Sequence, residues 1–111
     1  MTQSSEGAEV FVARFDALLL DLDGVLYIGE APVPHAADAL EQSAAAFGIR
    51  RAYITNNASR TPEQVVDVLA GVGVPADVSE VVTSAQVAAA YLAGQIAPGD
   101  AVLVVGGEGL E

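Results

Sequence analysis

The chain has 111 residues, a formal net charge of −11 and no cysteine, and its four basic residues are all arginine: Arg14, Arg50, Arg51 and Arg60. One compact domain is the most this length supports, and an apolar fraction of 52% excludes a disordered chain. Fifteen acidic residues against four basic ones disfavour nucleic acid or an anionic membrane surface as a partner and make a metal cation the better match.

Zero cysteine excludes a disulfide scaffold, cysteine-ligated zinc and thiol catalysis, and it suits a reducing cytoplasm. No run reaches the roughly 18 consecutive apolar residues of a membrane span. Met1 to Glu9 is polar and acidic, without the basic and apolar regions of a secretory signal. Residues 1–14 therefore read as a disordered leader, residues 15–111 as the folded unit, and the cytoplasm as its location.

The first apolar run, Ala17-Leu18-Leu19-Leu20, is too short for a helix and leads into Asp21-Leu22-Asp23-Gly24, which predicts a buried strand. Beyond a turn with Pro32 and Pro34, a helix is expected over 34–47. Ala37, Leu40, Ala44 and Phe47 share one of its faces, and Gly48 ends it. His35, the only histidine, stands at the helix start without partners and reads as a surface residue. Ala52-Tyr53-Ile54-Thr55 predicts a second strand, broken by Asn56-Asn57.

Thr61-Pro62-Glu63-Gln64 has the spacing of a capping box with proline at the first helical position. The helix it opens buries Val65, Val66, Val68 and Leu69 and ends at Gly71 or Gly73. Residues 78–83 read as extended. Ser84 is expected to cap a third helix that runs to Ala93 and stops at Gly94. Ala101 to Val105 reads as a last strand before Gly106-Gly107-Glu108-Gly109. Those glycines imitate part of a dinucleotide fingerprint, but the βαβ unit that such a fingerprint must open does not follow.

Strands that are continuous apolar runs, alternating with helices, predict an α/β fold: a Rossmann-like parallel sheet with helices on both faces. Ligands in such sheets sit beyond the carboxyl ends of the strands. That rule selects Asp21 to Gly24, Thr55 to Asn57 and Gly106 to Gly109. Asp21 and Asp23 project to the same face of an extended chain. Two like charges so close are relieved by a proton or by a divalent cation. Gly24 lets the backbone turn sharply and is expected to aim its N–H at an anion. Taken alone, these four residues serve equally well as a solvated strand end.

Leu18-Leu19-Leu20-Asp21-Leu22-Asp23-Gly24-Val25-Leu26 resembles the first motif of the haloacid dehalogenase superfamily of phosphohydrolases, an apolar strand followed by Asp-x-Asp-Gly. The resemblance implies Asp21 as nucleophile and Asp23 as general acid and base, with both at a Mg²⁺ site. The strand ending in Thr55 resembles the second motif, whose hydroxyl hydrogen-bonds the transferring phosphoryl group. Thr55-Asn56-Asn57-Ala58-Ser59-Arg60 is similar to subfamily IIA, the ribonucleotide monophosphatase-like and p-nitrophenyl phosphatase-like enzymes. Gly24, Thr55, Asn56 and Asn57 are then the expected substrate-binding residues, and Arg60 a surface residue. Val81-Val82-Thr83-Ser84-Ala85 and the stretch from Val102 to Leu110 also resemble that subgroup.

The chemistry fits these residue types. A carboxylate can attack phosphorus and form an aspartyl phosphate, and a second carboxylic acid can protonate the leaving alkoxide. The superfamily's third motif contributes a lysine and its fourth contributes acidic metal ligands, and neither is found in these 111 residues. The expectation is therefore the N-terminal portion of a longer phosphatase: an incomplete core without its cap domain, inactive by itself, and prone to homo-oligomerise or aggregate. Its expected substrate is a small phosphorylated metabolite. A non-catalytic phosphate- or metal-binding regulatory module on the same fold is the alternative, and a phosphate-transferring mutase a weaker third reading.

Overall fold

The computed structural model describes residues 11–111. Most of the expected leader, residues 1–10, lies outside the described residues. Phe11 to Arg14 form a helical turn, and the rings of Phe11 and Phe15 meet edge to face at 5.1 Å.

Three parallel strands make the sheet, in the order β1 (Ala17–Asp21), β4 (Arg50–Thr55), β5 (Val81–Thr83). A small antiparallel hairpin, β2 (Tyr27–Ile28) with β3 (Ala31–Pro32), follows β1 directly. The α/β class and the parallel sheet are as the alternation of apolar runs implies. Strand periodicity places Leu18, Leu20, Tyr53, Val81 and Thr83 on one face. That face joins Leu40 of α1 (Ala36–Phe47) and Val65 and Leu69 of α2 (Pro62–Gly71) in one core. Leu22 and Leu69 are wholly enclosed, which is worth about 2 kcal/mol each.

The opposite face is far less covered. Leu19 is 72% exposed, and Ile54 and Val82 are more than a third exposed. Those last two, with Val87 and Tyr91 of α3 (Ser84–Ala93), line an apolar cavity of about 500 Å³. No helix among the described residues is long and apolar enough to cross a membrane.

Helix ends follow local chemistry. Thr61 and Gln64 form the expected capping box, with Gln64 N–H donating to Thr61 Oγ1 at 3.2 Å and Thr61 N–H to Gln64 Oε1 at 2.9 Å. Gly48 takes the left-handed conformation, φ 61°, that closes α1. That helix begins at Ala36 rather than Pro34, because His35 itself turns left-handed, φ 69°, and is exposed.

Three expectations are corrected. Val78–Glu80 is a 3-10 turn, capped by Asp77, and only Val81–Thr83 is strand. The cap of α3 is Thr83, not Ser84: Thr83 and Gln86 form a second capping box, and Ser84 is the first helical residue. Ala101 to Val105 is no strand. Val102 to Val105 line an apolar groove together with Ala88 and Leu92 of α3 and with Ile96, and the segment pairs with no strand among the described residues. Leu103 and Val105 are more than four-fifths exposed.

Tyr53, at the sheet's centre, is fully buried, and its hydroxyl has no hydrogen-bond partner among the described residues. Burial pushes its phenol above the ordinary range. An unpaired buried hydroxyl carries a desolvation cost of roughly 1–3 kcal/mol. Tyr53→Phe is therefore expected to leave stability unchanged or raise it by about 1 kcal/mol in urea denaturation. A clear loss of stability would contradict the unpaired hydroxyl.

Candidate active site

Everything at the site follows from one register. β1 and β4 run parallel with Asp21 opposite Ile54, so Thr55 is the residue just beyond Asp21 on the neighbouring strand. β5 extends the row, with Thr83 opposite Thr55. Three strand ends thus open on the same edge of the sheet, where loops rather than ladder bonds receive the backbone groups.

Asp21 is the last residue of β1, and its Oδ1 accepts the Leu22 N–H at 2.9 Å. Leu22 is buried, which anchors the chain between the two aspartates. Asp21 and Asp23 are both solvent-exposed. Water therefore carries much of the cost of placing two carboxylates so close. The Leu22 carbonyl accepts from Val25 N–H at 3.1 Å and Leu26 N–H at 2.8 Å, folding the chain into a tight turn past Asp23. Gly24 makes that turn with φ 83°, which a residue with a Cβ rarely adopts.

The expected role of the Gly24 N–H as an anion donor is corrected. It donates to the Tyr27 carbonyl at 2.7 Å and so closes the turn. Gly24 shapes the loop and offers no free amide.

Thr55 is buried, and its Oγ1 accepts the Asn57 N–H at 3.1 Å, leaving the hydroxyl proton to donate elsewhere. Asn57 Oδ1 accepts from both the N–H, at 2.9 Å, and the hydroxyl of Ser59. Asn57 thus holds its own loop, with its amide N–H and its carbonyl oxygen both engaged. Asn56 is exposed, and its backbone carbonyl accepts from Ser84 Oγ at 3.2 Å. The structure brings Asp21, Asp23, Thr55, Asn56 and Asn57 to one sheet edge.

Two residues do more than the sequence reading gave them. Ser84, displaced from the cap by Thr83, pins the loop after β4 to the start of α3. The signal was present in the Thr83-x-x-Gln86 spacing. Arg60 is half-buried and is not simply a surface residue. Burial raises the Tyr27 phenol above its ordinary pKa. The positive charge of the Arg60 guanidinium pulls the other way, while the Asp23 and Asp21 carboxylates reinforce the rise. Tyr27 bridges to Asp23, and its phenol senses the charges of Arg60, Asp23 and Asp21.

Among the described residues, no three side chains from histidine, cysteine, aspartate or glutamate cluster as a metal site. The donors at hand are the two exposed carboxylates. A hard divalent ion accepts such oxygens and fills its remaining positions with water or phosphate.

Residues 18–111 match the family model of haloacid dehalogenase-like hydrolases. The chain belongs to that family. It is 46% identical over 95 residues to a D-glycerol 3-phosphate phosphatase of Mycobacterium tuberculosis, a match covering 86% of this chain and 26% of that protein. It is 39% identical over 97 residues to an acid sugar phosphatase of Staphylococcus aureus, covering 87% of this chain and 37% of that one. Among solved structures, glycerol phosphate phosphatase from M. tuberculosis in complex with magnesium superposes with a TM-score of 0.81 at 44% identity, over 89% of this chain and 29% of that one. The haloacid dehalogenase-like chain thus spans about a quarter to two fifths of these relatives' length, and its neighbours are subfamily IIA phosphatases.

Proposed function

We propose that these residues belong to a Mg²⁺-dependent phosphomonoester hydrolase that works through an aspartyl phosphate. The observation that carries this reading is the Asp21/Asp23 pair at the carboxyl end of β1, one residue out of step with Thr55 on the adjacent parallel strand. A binding module has no need of the second carboxylate. A hydrolase needs one to attack and one to move protons.

Asp21 and the strand end around Asp23 would hold the Mg²⁺, and the ion would supply neutralising charge where carboxylate and phosphate would otherwise repel. An Asp21 Oδ atom attacks phosphorus, and the bond from phosphorus to the leaving alkoxide breaks as Asp23 delivers its proton to that oxygen. Water then attacks the phosphorylated Asp21. Asp23 takes the water's proton, and the bond between phosphorus and Asp21 breaks to release phosphate. The Thr55 hydroxyl and the backbone around Asn56 supply donors to the phosphoryl oxygens. Asn57 acts on the shape of that loop.

Relatives named as glycerol 3-phosphate and sugar phosphatases support a small phosphorylated metabolite of the polyol, sugar or nucleotide type as substrate. A soluble cytoplasmic setting suits such a substrate and the absence of cysteine. The 111 residues by themselves are proposed to be inactive, since two carboxylates without a lysine leave the phosphate charge partly uncompensated.

The test uses p-nitrophenyl phosphate and the complete natural polypeptide that carries these residues. Mg²⁺-dependent turnover is expected, silenced by a chelator and restored by Mg²⁺. Asp21→Asn is expected to abolish it, and Asp23→Asn to lower it by about 10²–10⁴-fold. Full turnover in Asp21→Asn would remove the hydrolase reading.

We also propose that the 111-residue chain self-associates. The barely covered sheet face at Leu19 and the exposed Leu103 and Val105 are apolar, and β1 and β5 are both edge strands. Size-exclusion chromatography is expected to show dimers or larger species at micromolar concentration. A clean monomer on dilution would contradict this.

A further inference from the structure

The Gly106-Gly107-Glu108-Gly109 run places three glycines in four residues, which calls for a physical reason. The structure gives one. Glu108–Leu110 forms a 3-10 turn with Gly107 at its start, and this turn lies against Ala58 to Arg60, the loop that leaves the phosphate-side residues Thr55 to Asn57.

The approach is backbone to backbone. A Cβ on Gly109 would collide with the carbonyl oxygens of Ala58 and Arg60 and come within 2.8 Å of the Arg60 carbonyl carbon. Those are main-chain atoms, so relief requires the loop itself to move. A Cβ on Gly107 would meet Ser59 O at 3.2 Å, tight but tolerable. At Gly106 it would press only on the Leu110 side-chain tip, which can swing away. Gly109 is therefore the position at which this turn and the loop fit only without a side chain.

Polar contacts connect the same two segments to the site. The Gly109 N–H donates to Ser59 O at 3.4 Å, a long bond that orients more than it binds. Ser59 N–H holds Asn57 Oδ1 at 2.9 Å, and Asn57 N–H holds Thr55 Oγ1 at 3.1 Å. Alongside, Gln64 Nε2 donates to Glu108 Oε2 at 2.8 Å while Gln64 Oε1 closes the capping box with Thr61. The turn thus touches both ends of the 58–64 segment, and one end is two hydrogen bonds from the Thr55 hydroxyl.

We propose that the Gly107–Leu110 turn is a positioning element for the phosphate-side loop, with Gly109 as its decisive residue. It fixes the Thr55 hydroxyl and the Asn56 backbone where the phosphoryl oxygens need donors. This inference rests on the phosphatase reading, because only there does the loop's placement set a rate. Loss of placement at the transferring group lowers kcat more than it lowers substrate binding.

The experiment compares Gly109→Ala, Gly106→Ala, Glu108→Ala and Glu108→Gln in the complete natural polypeptide, with p-nitrophenyl phosphate and Mg²⁺. Melting temperatures and backbone amide NMR spectra accompany the kinetics. Gly109→Ala is expected to cut kcat by about tenfold or more with KM within about twofold, and to shift the Asn56, Asn57 and Ser59 amide signals. Gly106→Ala is expected to change neither kcat nor those signals. Glu108→Gln keeps an acceptor for Gln64 and is expected to retain more kcat than Glu108→Ala.

Wild-type kcat in Gly109→Ala, or an equal loss in Gly106→Ala, overturns the proposal. So does a kcat loss that only follows the melting temperature across the set. A wild-type polypeptide without turnover sinks the phosphatase reading instead. The amide shifts then still decide whether Gly109 controls the loop: unmoved Asn56 and Asn57 signals would end that claim too.

Discussion

The parallel pairing of β1 with β4 is the constraint on which the rest depends. With Asp21 opposite Ile54, the carboxylates at the end of β1 and the hydroxyl at the end of β4 reach the same sheet edge. A shift of one residue would turn every side chain of one strand to the opposite face. The pairing is held by what lies behind it: Leu18, Leu20 and Tyr53 on the core face, backed by Leu40, Val65 and Leu69. Burial of those side chains selects the register, and the register selects which polar groups become neighbours. Chemistry at the edge is thus a consequence of packing in the middle.

The loops then convert alignment into usable geometry. Past Asp21 the chain folds around the Leu22 carbonyl, and Gly24 takes the left-handed turn that returns it to the hairpin. After β4 the loop is fastened from several directions. Thr55 Oγ1 holds Asn57, Asn57 holds Ser59, Ser84 holds the Asn56 carbonyl, and the glycine turn presses on Ala58 to Arg60. Each of these bonds is modest, about 1 kcal/mol in net worth. Together they restrict a polar loop that has no ladder to hold it.

Local chemistry made much of this legible in the sequence. The apolar strand before Asp21, the capping box of Thr61 and Gln64, and the glycine that ends α1 all depend on residues a few positions apart. Where sequence reading failed, the deciding contact was one that composition and spacing do not announce. Ala101 to Val105 has a strand's composition, but it pairs with no strand among the described residues, and Val102 to Val105 line a groove with α3 instead. Gly24 promised a free amide until the Tyr27 carbonyl took it. Arg60 read as a surface cation until the hairpin brought the Tyr27 phenol to it. The Thr83 cap is a different case: its spacing to Gln86 was readable, and the adjacent Ser84 drew the assignment away.

The central proposal is that Asp21 is the carboxylate that accepts the phosphoryl group and Asp23 its proton carrier. Rapid acid quench of the complete natural polypeptide during turnover, followed by peptide mass spectrometry, tests it most directly. The account predicts a hydroxylamine-sensitive phosphoryl adduct on Asp21 and none on Asp23. An adduct on Asp23, or steady turnover with no adduct on either aspartate, would contradict it.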